Sequence, residues 1–100
     1  MAQIYSTNQL RDLVSPVAKQ FGVKRVYIFG SYGRKEATAK SDLDLRIDAG
    51  NIRSLFELAD FRQTLEERLA MPVDVVTSDI DDRRFLKTIS PDEVLLYAEQ

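Results

Sequence analysis

Within residues 41–48, polar and apolar side chains alternate strictly from residue 42 onwards. The apolar members stand at every second position and are Leu43, Leu45 and Ile47. The side chains between and beside them are charged, namely Asp42, Asp44, Arg46 and Asp48. Because successive side chains of a β-strand point to opposite faces of a sheet, this pattern predicts a strand with one apolar face and one charged face. The chain must therefore build a sheet around this strand.

The remaining patterns predict helices and strands that alternate along the chain. Apolar residues at helical spacing predict helices over residues 10–21 and 52–70, and β-branched runs predict strands over residues 23–29 and 73–77. A third helix is predicted over residues 79–88. Residues 90–98 leave two alternatives open, the start of a helix or a strand that pairs with the others. This order predicts an α/β or α+β fold, a small mixed sheet flanked by helices on one side.

The composition removes several classes of chemistry. The 100 residues include neither cysteine nor histidine, which excludes disulfides, thiolate metal sites, thiol nucleophiles and imidazole bases. A metal site would need oxygen ligands, which favours Mg²⁺, Mn²⁺ or Ca²⁺. With 14 Lys and Arg against 16 Asp and Glu, the formal net charge is −2, and direct binding to nucleic acid is not expected.

Length and hydropathy set the expected organisation. We expect residues 1–100 to form a single domain, because a chain of this length buries enough surface for one core. No apolar run approaches the roughly 20 residues of a membrane span, and the N-terminal residues lack the apolar core of a signal peptide. The sequence therefore predicts a cytoplasmic protein that does not contact a membrane.

Three acidic residues and one glycine turn are candidate functional residues. Asp42 and Asp44 lie two apart on one predicted strand, so their carboxylates leave the same face, although such a pair is commonly only the solvated face of an edge strand. Asp74 interrupts a β-branched run, where a carboxylate is disfavoured and needs a partner. Gly30 and Ser31 end a strand before a predicted helical turn. Such a turn offers backbone N–H groups to an anion, although an isolated Gly-Ser is usually an ordinary turn.

Positive side chains follow the glycine turn. Arg34 and Lys35 add charge on the side of the predicted anion site, and arginine suits bidentate phosphate contact. Arg46 shares the face of the acidic pair, and we expect it to neutralise those carboxylates. Taken together, a phosphate-binding turn and three carboxylates in a chain without His or Cys fit two hard cations that grip a triphosphate.

The combined motif carries a family resemblance. Residues 29–34 read Phe-Gly-Ser-Tyr-Gly-Arg, and after six residues 41–45 read Ser-Asp-Leu-Asp-Leu. With Asp74 on a later strand, this layout resembles the signature of the polymerase-β-type nucleotidyltransferase superfamily. At this length the chain most resembles the minimal nucleotidyltransferases (MNT), the antitoxins of HEPN–MNT toxin–antitoxin pairs. The resemblance implies the polymerase-β-like nucleotidyltransferase fold.

The same resemblance implies roles for the acidic residues, which would be both catalytic and metal-binding. Asp42 and Asp44 would coordinate two Mg²⁺ ions. Asp74 would complete the site of the catalytic metal and lie close to the acceptor hydroxyl.

For the nucleotide, the resemblance implies that Gly30 and Ser31 hold the β- and γ-phosphates of ATP and that Arg34 neutralises the triphosphate, helped by Lys35 or Lys40. The family motif has a glycine where this chain has Lys35. If that glycine needs a positive φ, Lys35 is strained there. If it only lies near phosphate, Lys35 adds a contact.

The reaction and the partner are implied in the same way. The chain would transfer AMP from ATP to a tyrosine hydroxyl of a HEPN toxin, an all-helical RNase, and so neutralise it within a hetero-oligomer. One alternative is a non-catalytic, nucleotide-binding antitoxin that inhibits the toxin by direct binding. Another alternative is transfer of AMP to a small hydroxylated molecule. The lack of a domain that would bind such an acceptor argues against it.

Overall fold

A computed structural model describes residues 4–78, 84, 87–88 and 90–99 of the chain. Its helices are α1 (Thr7–Phe21), α2 (Gly30–Gly33) and α3 (Leu55–Leu69). Its strands are β1 (Arg25–Phe29), β2 (Leu43–Asp48), β3 (Val73–Thr77) and β4 (Val94–Ala98), with a 3₁₀ turn at Ser90–Asp92 before β4.

The four strands form one mixed sheet in the order β3-β2-β1-β4. β1 pairs antiparallel with β2 and with β4, whereas β2 and β3 are parallel. A parallel pair needs a crossover connection, and α3 supplies it between β2 and β3. The alternating segment therefore forms an inner strand, not an edge strand, and the predicted mixed sheet flanked by helices is confirmed.

The core lies between the apolar face of the sheet and the helices α1 and α3. The apolar side chains at every second position of β2 are completely buried, and they belong to the same cluster as the buried side chains of both helices. The largest fully buried members are Phe61, Leu10, Ile28, Leu43, Leu45, Ile47, Leu65 and Leu69. The charged side chains of β2 consequently lie on the opposite face of the sheet.

Local capping explains where the helices begin. Ser6 precedes α1, and its Oγ accepts a hydrogen bond from the backbone N of Gln9 at 3.1 Å while Oε1 of Gln9 accepts one from the backbone N of Ser6 at 2.8 Å. In α3, Oγ of Ser54 accepts from the backbone N of Glu57 at 3.1 Å, so the helix starts at Leu55 and not at the predicted residue 52.

The structure decides between the two alternatives for residues 90–98, the start of a helix or a strand. Residues 90–98 form a short 3₁₀ turn followed by β4, so the strand interpretation is confirmed. Of the helix predicted over residues 79–88, Arg84, Lys87 and Thr88 are helical, and its other residues lie outside the described ones. Within the described part of the chain, none of the helices is both long and apolar enough to span a membrane.

Candidate functional site

The sheet brings two of the predicted carboxylates side by side. Asp44 of β2 and Asp74 of β3 are register partners in the parallel pair, so their Cα atoms stand about 4.8 Å apart and their side chains leave the same face. Asp42 lies one residue before β2 and is exposed. Burial raises the pKa of Asp44, and the negative charges of Asp74 and then of Asp42 raise it further, while Arg34 opposes them. The three carboxylates therefore share one electrostatic site.

Asp74 is placed differently from the expectation. The sequence suggests that its β-branched neighbours bury it, but β3 is an edge strand and the side chain of Asp74 is exposed. Its apolar neighbour Val73 is buried instead, because alternate side chains of the strand point into the core. Asp74 consequently faces solvent beside the half-buried Asp44, where an incoming group can reach it.

The acidic residues suit a metal ion by their chemistry. In the described ranges, no three acidic side chains are gathered closely enough to hold a metal ion together. Carboxylate oxygens are nevertheless the ligands that Mg²⁺ prefers, and the shared negative charge that raises the pKa of Asp44 is the charge that a dication offsets. The donor set therefore fits a hard cation.

The glycine turn lies directly against Asp44. Gly30 has a φ of +67°, a conformation that favours glycine. A Cβ built on Gly30 would collide with Oδ2 of Asp44, so any larger residue would have to displace this carboxylate. Gly30 and Ser31 begin α2, and the first amides of a helix have no partner within that helix. Donors for an anion thus stand beside the acidic site.

Arg34 follows the turn and is held by two acidic side chains. Its Nε lies 3.2 Å from Oε2 of Glu36, and its Nη1 lies 3.4 Å from Oδ2 of Asp92. These contacts, that with Glu36 first, keep the pKa of Arg34 above its usual value. Arg34 also acts on the pKa of Asp44, so it lies within electrostatic reach of the acidic site.

Lys35 is placed against a cavity beside the start of α1. It lines a cavity of about 500 Å³ together with Tyr32 and the start of α1, and none of the three carboxylates lines that cavity. Its φ is +61°, so Lys35 occupies the left-handed region in which a glycine is favoured. The strain expected for a position that needs a positive φ is therefore present.

Replacing Lys35 by glycine is expected to raise the free energy of unfolding by up to about 1 kcal/mol, because glycine adopts the left-handed conformation without a steric penalty. Denaturant unfolding of the purified variant measures the effect. Lys40→Gly is the matched control: it removes the same charge from the same loop at a residue whose φ is not positive, and it should lower stability. Equal losses in the two variants would contradict the assignment of strain to Lys35.

Arg46 does not neutralise the acidic pair as expected. Its guanidinium binds the carboxylate of Glu93 through Nε and Nη2, lies 3.5 Å from Oδ1 of Asp48, and stacks 4.2 Å above the ring of Tyr27. Neither Glu93 nor the two acidic partners of Arg34 were predicted from the sequence. Glu36 lies two residues from Arg34, but Glu93 and Asp92 approach through tertiary pairing over 47 and 58 residues of sequence, which leaves no local pattern.

Comparison with protein families and curated relatives gives consistent matches. A family model described as polymerase beta, nucleotidyltransferase matches residues 11–100. A relative from Methanocaldococcus jannaschii with the provisional name of a protein adenylyltransferase is 40% identical over 70 residues, which cover 70% of this chain and 75% of the relative. The protein adenylyltransferase MntA of Thermococcus cleftensis is 35% identical over 71 residues, 71% of this chain and 72% of the relative.

Solved structures share the fold. A toxin–antitoxin structure with AMP-PNP superposes with a TM-score of 0.78 at 18% identity, covering 90% of this chain and 74% of that chain. A complex of a tri-AMPylated Shewanella oneidensis HEPN toxin with its MNT antitoxin gives a TM-score of 0.73 at 17% identity, covering 94% of this chain and 74% of that chain. At these identities the likeness concerns the fold alone.

Proposed function

The chain belongs to the polymerase beta nucleotidyltransferase family, and from this membership we propose that it is an antitoxin that transfers AMP from ATP to a tyrosine hydroxyl of a HEPN toxin. One observation carries the proposal. Asp44 and Asp74 stand in register beside the turn at Gly30, so carboxylates and phosphate donors meet at one place. The names of the relatives support the reaction, and the described complexes support the class of partner.

Asp42, Asp44 and Asp74 would hold Mg²⁺ in this proposal. When bound, Mg²⁺ supplies charge compensation for the triphosphate and lowers the pKa of the acceptor hydroxyl. Burial and then the negative charges of Asp74 and Asp42 raise the pKa of Asp44, and this crowding of negative charge supports the assignment, because a dication would offset it. Asp44 is half-buried on an inner strand and Asp74 is exposed on the edge, so Asp44 is the more firmly fixed ligand.

The turn and Arg34 would bind the nucleotide. The backbone approaches Asp44 closely at Gly30, which brings the first amides of α2 next to this carboxylate, and Ser31 is the second residue of that helix. These donors would hold the β- and γ-phosphates, and Arg34 would offset their charge. Phosphates bound there lie beside the carboxylates, so the α-phosphorus is positioned for attack from the solvent side.

The transfer itself is an in-line displacement. The tyrosine oxygen attacks the α-phosphorus, the bond to the bridging oxygen breaks, and pyrophosphate leaves with the electron pair of that bond. The hydroxyl proton passes to a base, and we assign this step to Asp74. Its carboxylate is exposed on the edge strand, where the side chain of another protein can reach it. ATP as the donor places the proposed reaction in the cytoplasm.

Mass spectrometry of the HEPN partner tests the proposal. Incubation with ATP and Mg²⁺ should add the mass of AMP to the toxin and abolish its RNase activity, and EDTA should prevent both. We expect Asp42→Asn and Asp74→Asn to slow the transfer by about 100-fold or more, as removal of a single stabilising group at a reacting centre does. Asp60→Asn, which removes the same charge from the exposed side of α3, is the matched control and should leave the rate unchanged.

Transfer that survives both substitutions would contradict the assigned roles. The alternative function, inhibition by direct binding, is favoured by the strained Lys35. It predicts a complex that silences the toxin equally well with Asp74→Ala and without any added mass.

A further inference from the structure

The residue that precedes β4 is held by an ion pair on the face of the sheet opposite the core. Glu93, one residue before the strand, forms a two-pronged ion pair with Arg46, and these side chains are only 10% and 16% exposed. Arg46 is itself fixed by Asp48 and by the ring of Tyr27. A salt bridge with partners this well buried and satisfied holds its segment in a single geometry. The backbone at the preceding residue, Asp92, is therefore fixed as well.

The 3₁₀ turn before β4 packs closely against α2 at Gly33. A Cβ built on Gly33 would collide with the backbone carbonyl oxygen of Asp92 and would stand 3.2 Å from that of Ile28. The absence of a side chain at Gly33 thus lets the 3₁₀ turn Ser90–Asp92 lie directly against α2. The same approach places the carboxylate of Asp92 beside Arg34, although 58 residues separate the two in sequence.

Two acidic residues from different parts of the fold then define the plane of the Arg34 guanidinium. Glu36, from the loop after α2, accepts from Nε, and Asp92 accepts from Nη1. Among the described residues, neither of these two contacts involves Nη2, so this guanidinium nitrogen is left to bind a ligand. Because a guanidinium is planar, contacts at two of its nitrogens fix its plane and so determine where its remaining N–H groups point.

We propose that Asp92 is a positioning residue for nucleotide binding, which holds Arg34 in the orientation that receives the triphosphate. The inference rests on the proposed function, because it takes ATP as the ligand of Arg34. An exposed arginine loses rotamer freedom when it binds a ligand, and a protein that has already ordered the side chain avoids that cost on binding. Each of the two ion pairs is solvent-exposed and weak by itself, so their effect lies in orientation and not in stability.

Kinetics of the intact chain with ATP, Mg²⁺ and its HEPN partner test this role. Asp92→Ala should raise KM for ATP about three- to tenfold while kcat stays within about twofold, because the contact is made in the ground state and the transition state alike. Asp92→Asn keeps an oxygen acceptor for Nη1 and removes only the charge, so it should restore a KM close to that of the wild type. Asp60→Ala controls for the change in net charge, and thermal unfolding shows that each variant is folded.

A role of Asp92 in competition with phosphate would change KM for ATP in the opposite direction. If Asp92 merely competes with phosphate for Arg34, both Asp92→Ala and Asp92→Asn lower KM, and the inference is overturned. An unchanged KM in Asp92→Ala overturns it as well. Failure of the proposed function is a separate result, since the wild-type chain itself would then show neither ATP-dependent labelling nor binding of ATP. A wild type that labels its partner while the Asp92 variants behave identically rejects the positioning role alone.

Discussion

Replacing Asp44 by asparagine is expected to abolish AMP transfer and at the same time to make the nucleotide-free protein more stable at neutral pH. The loss of activity follows from the role proposed for Asp44, the half-buried carboxylate that lies in register with Asp74 and against Gly30. Asparagine keeps the shape and one oxygen but removes the negative charge that a hard dication requires. We expect transfer to fall by about 1,000-fold or more, the upper range for the loss of one electrostatic contact at a reacting centre.

The gain in stability follows from the pKa of Asp44, which burial and the charges of Asp74 and Asp42 raise. A carboxyl group whose pKa is raised in the folded state favours folding while it is protonated, and this contribution is lost as the pH rises through the raised pKa. At neutral pH the ionised Asp44 therefore opposes folding, and asparagine removes that opposition. The stability difference between the variant and the wild type should grow from the ordinary aspartate pKa upwards and level off above the raised one.

Thermal unfolding in EDTA at a series of pH values measures this difference without the stabilisation that bound metal would add. The pH profile of the wild type alone does not suffice, because other carboxyl groups contribute to it with the opposite sign. Burial pushes the pKa of Asp48 up, but hydrogen bonds from Ser78 and Arg25 and the charge of Arg46 lower it overall. Asp48 therefore stabilises the fold above its usual pKa and loses that effect on acidification.

Asp48→Asn is the matched comparison for this experiment and should lower stability at neutral pH. A stability gain in Asp44→Asn that is independent of pH would contradict the electrostatic explanation. Transfer that persists in Asp44→Asn would contradict the assigned role in catalysis. The two outcomes are independent, so each part of the prediction can fail alone.

The sequence predicted the fold and the sheet face on which the carboxylates lie, because both depend on local patterns. Strict alternation over residues 42–48 specified which side chains of β2 are buried, and the structure buries Leu43, Leu45 and Ile47 completely. The same alternation put Asp42 and Asp44 on the face away from the core. The spacing to Asp74 left room for one crossover helix, and α3 occupies it.

Properties that depend on tertiary pairing were beyond the sequence. Whether β2 is an inner or an edge strand follows from which strands pair with it, and the sequence carried no signal for that choice. The partner of Arg46 lies 47 residues away on the far side of β1, and Asp92 reaches Arg34 only because β4 pairs with β1. Charge partners that meet across a sheet leave no periodicity in the chain.

Replacing Gly30 by alanine is expected to damage both the fold and the site through two separable causes. A φ of +67° costs a residue with a Cβ about 1–2 kcal/mol, which lowers the free energy of unfolding directly. The new Cβ also meets Oδ2 of Asp44, a side-chain atom that can move aside, so the collision is relieved by displacing the carboxylate. Because misplaced catalytic groups lose rate steeply, we expect transfer to fall by about 100-fold or more.

A double-mutant cycle separates the two causes in Gly30→Ala. In an Asp44→Ala background the collision partner is gone, so the substitution at Gly30 should cost only the backbone penalty of about 1–2 kcal/mol. Gly50→Ala is the control for lost stability alone. Gly50 follows the end of β2 that is far from Asp44, and its φ is +60°; a Cβ there would collide with the backbone O of Gly22 and the backbone N of Lys24. Gly50→Ala should therefore destabilise at least as much as Gly30→Ala, yet its folded fraction should keep the wild-type specific activity. If Gly30→Ala retains that activity as well, the close approach of the turn to Asp44 has no part in catalysis.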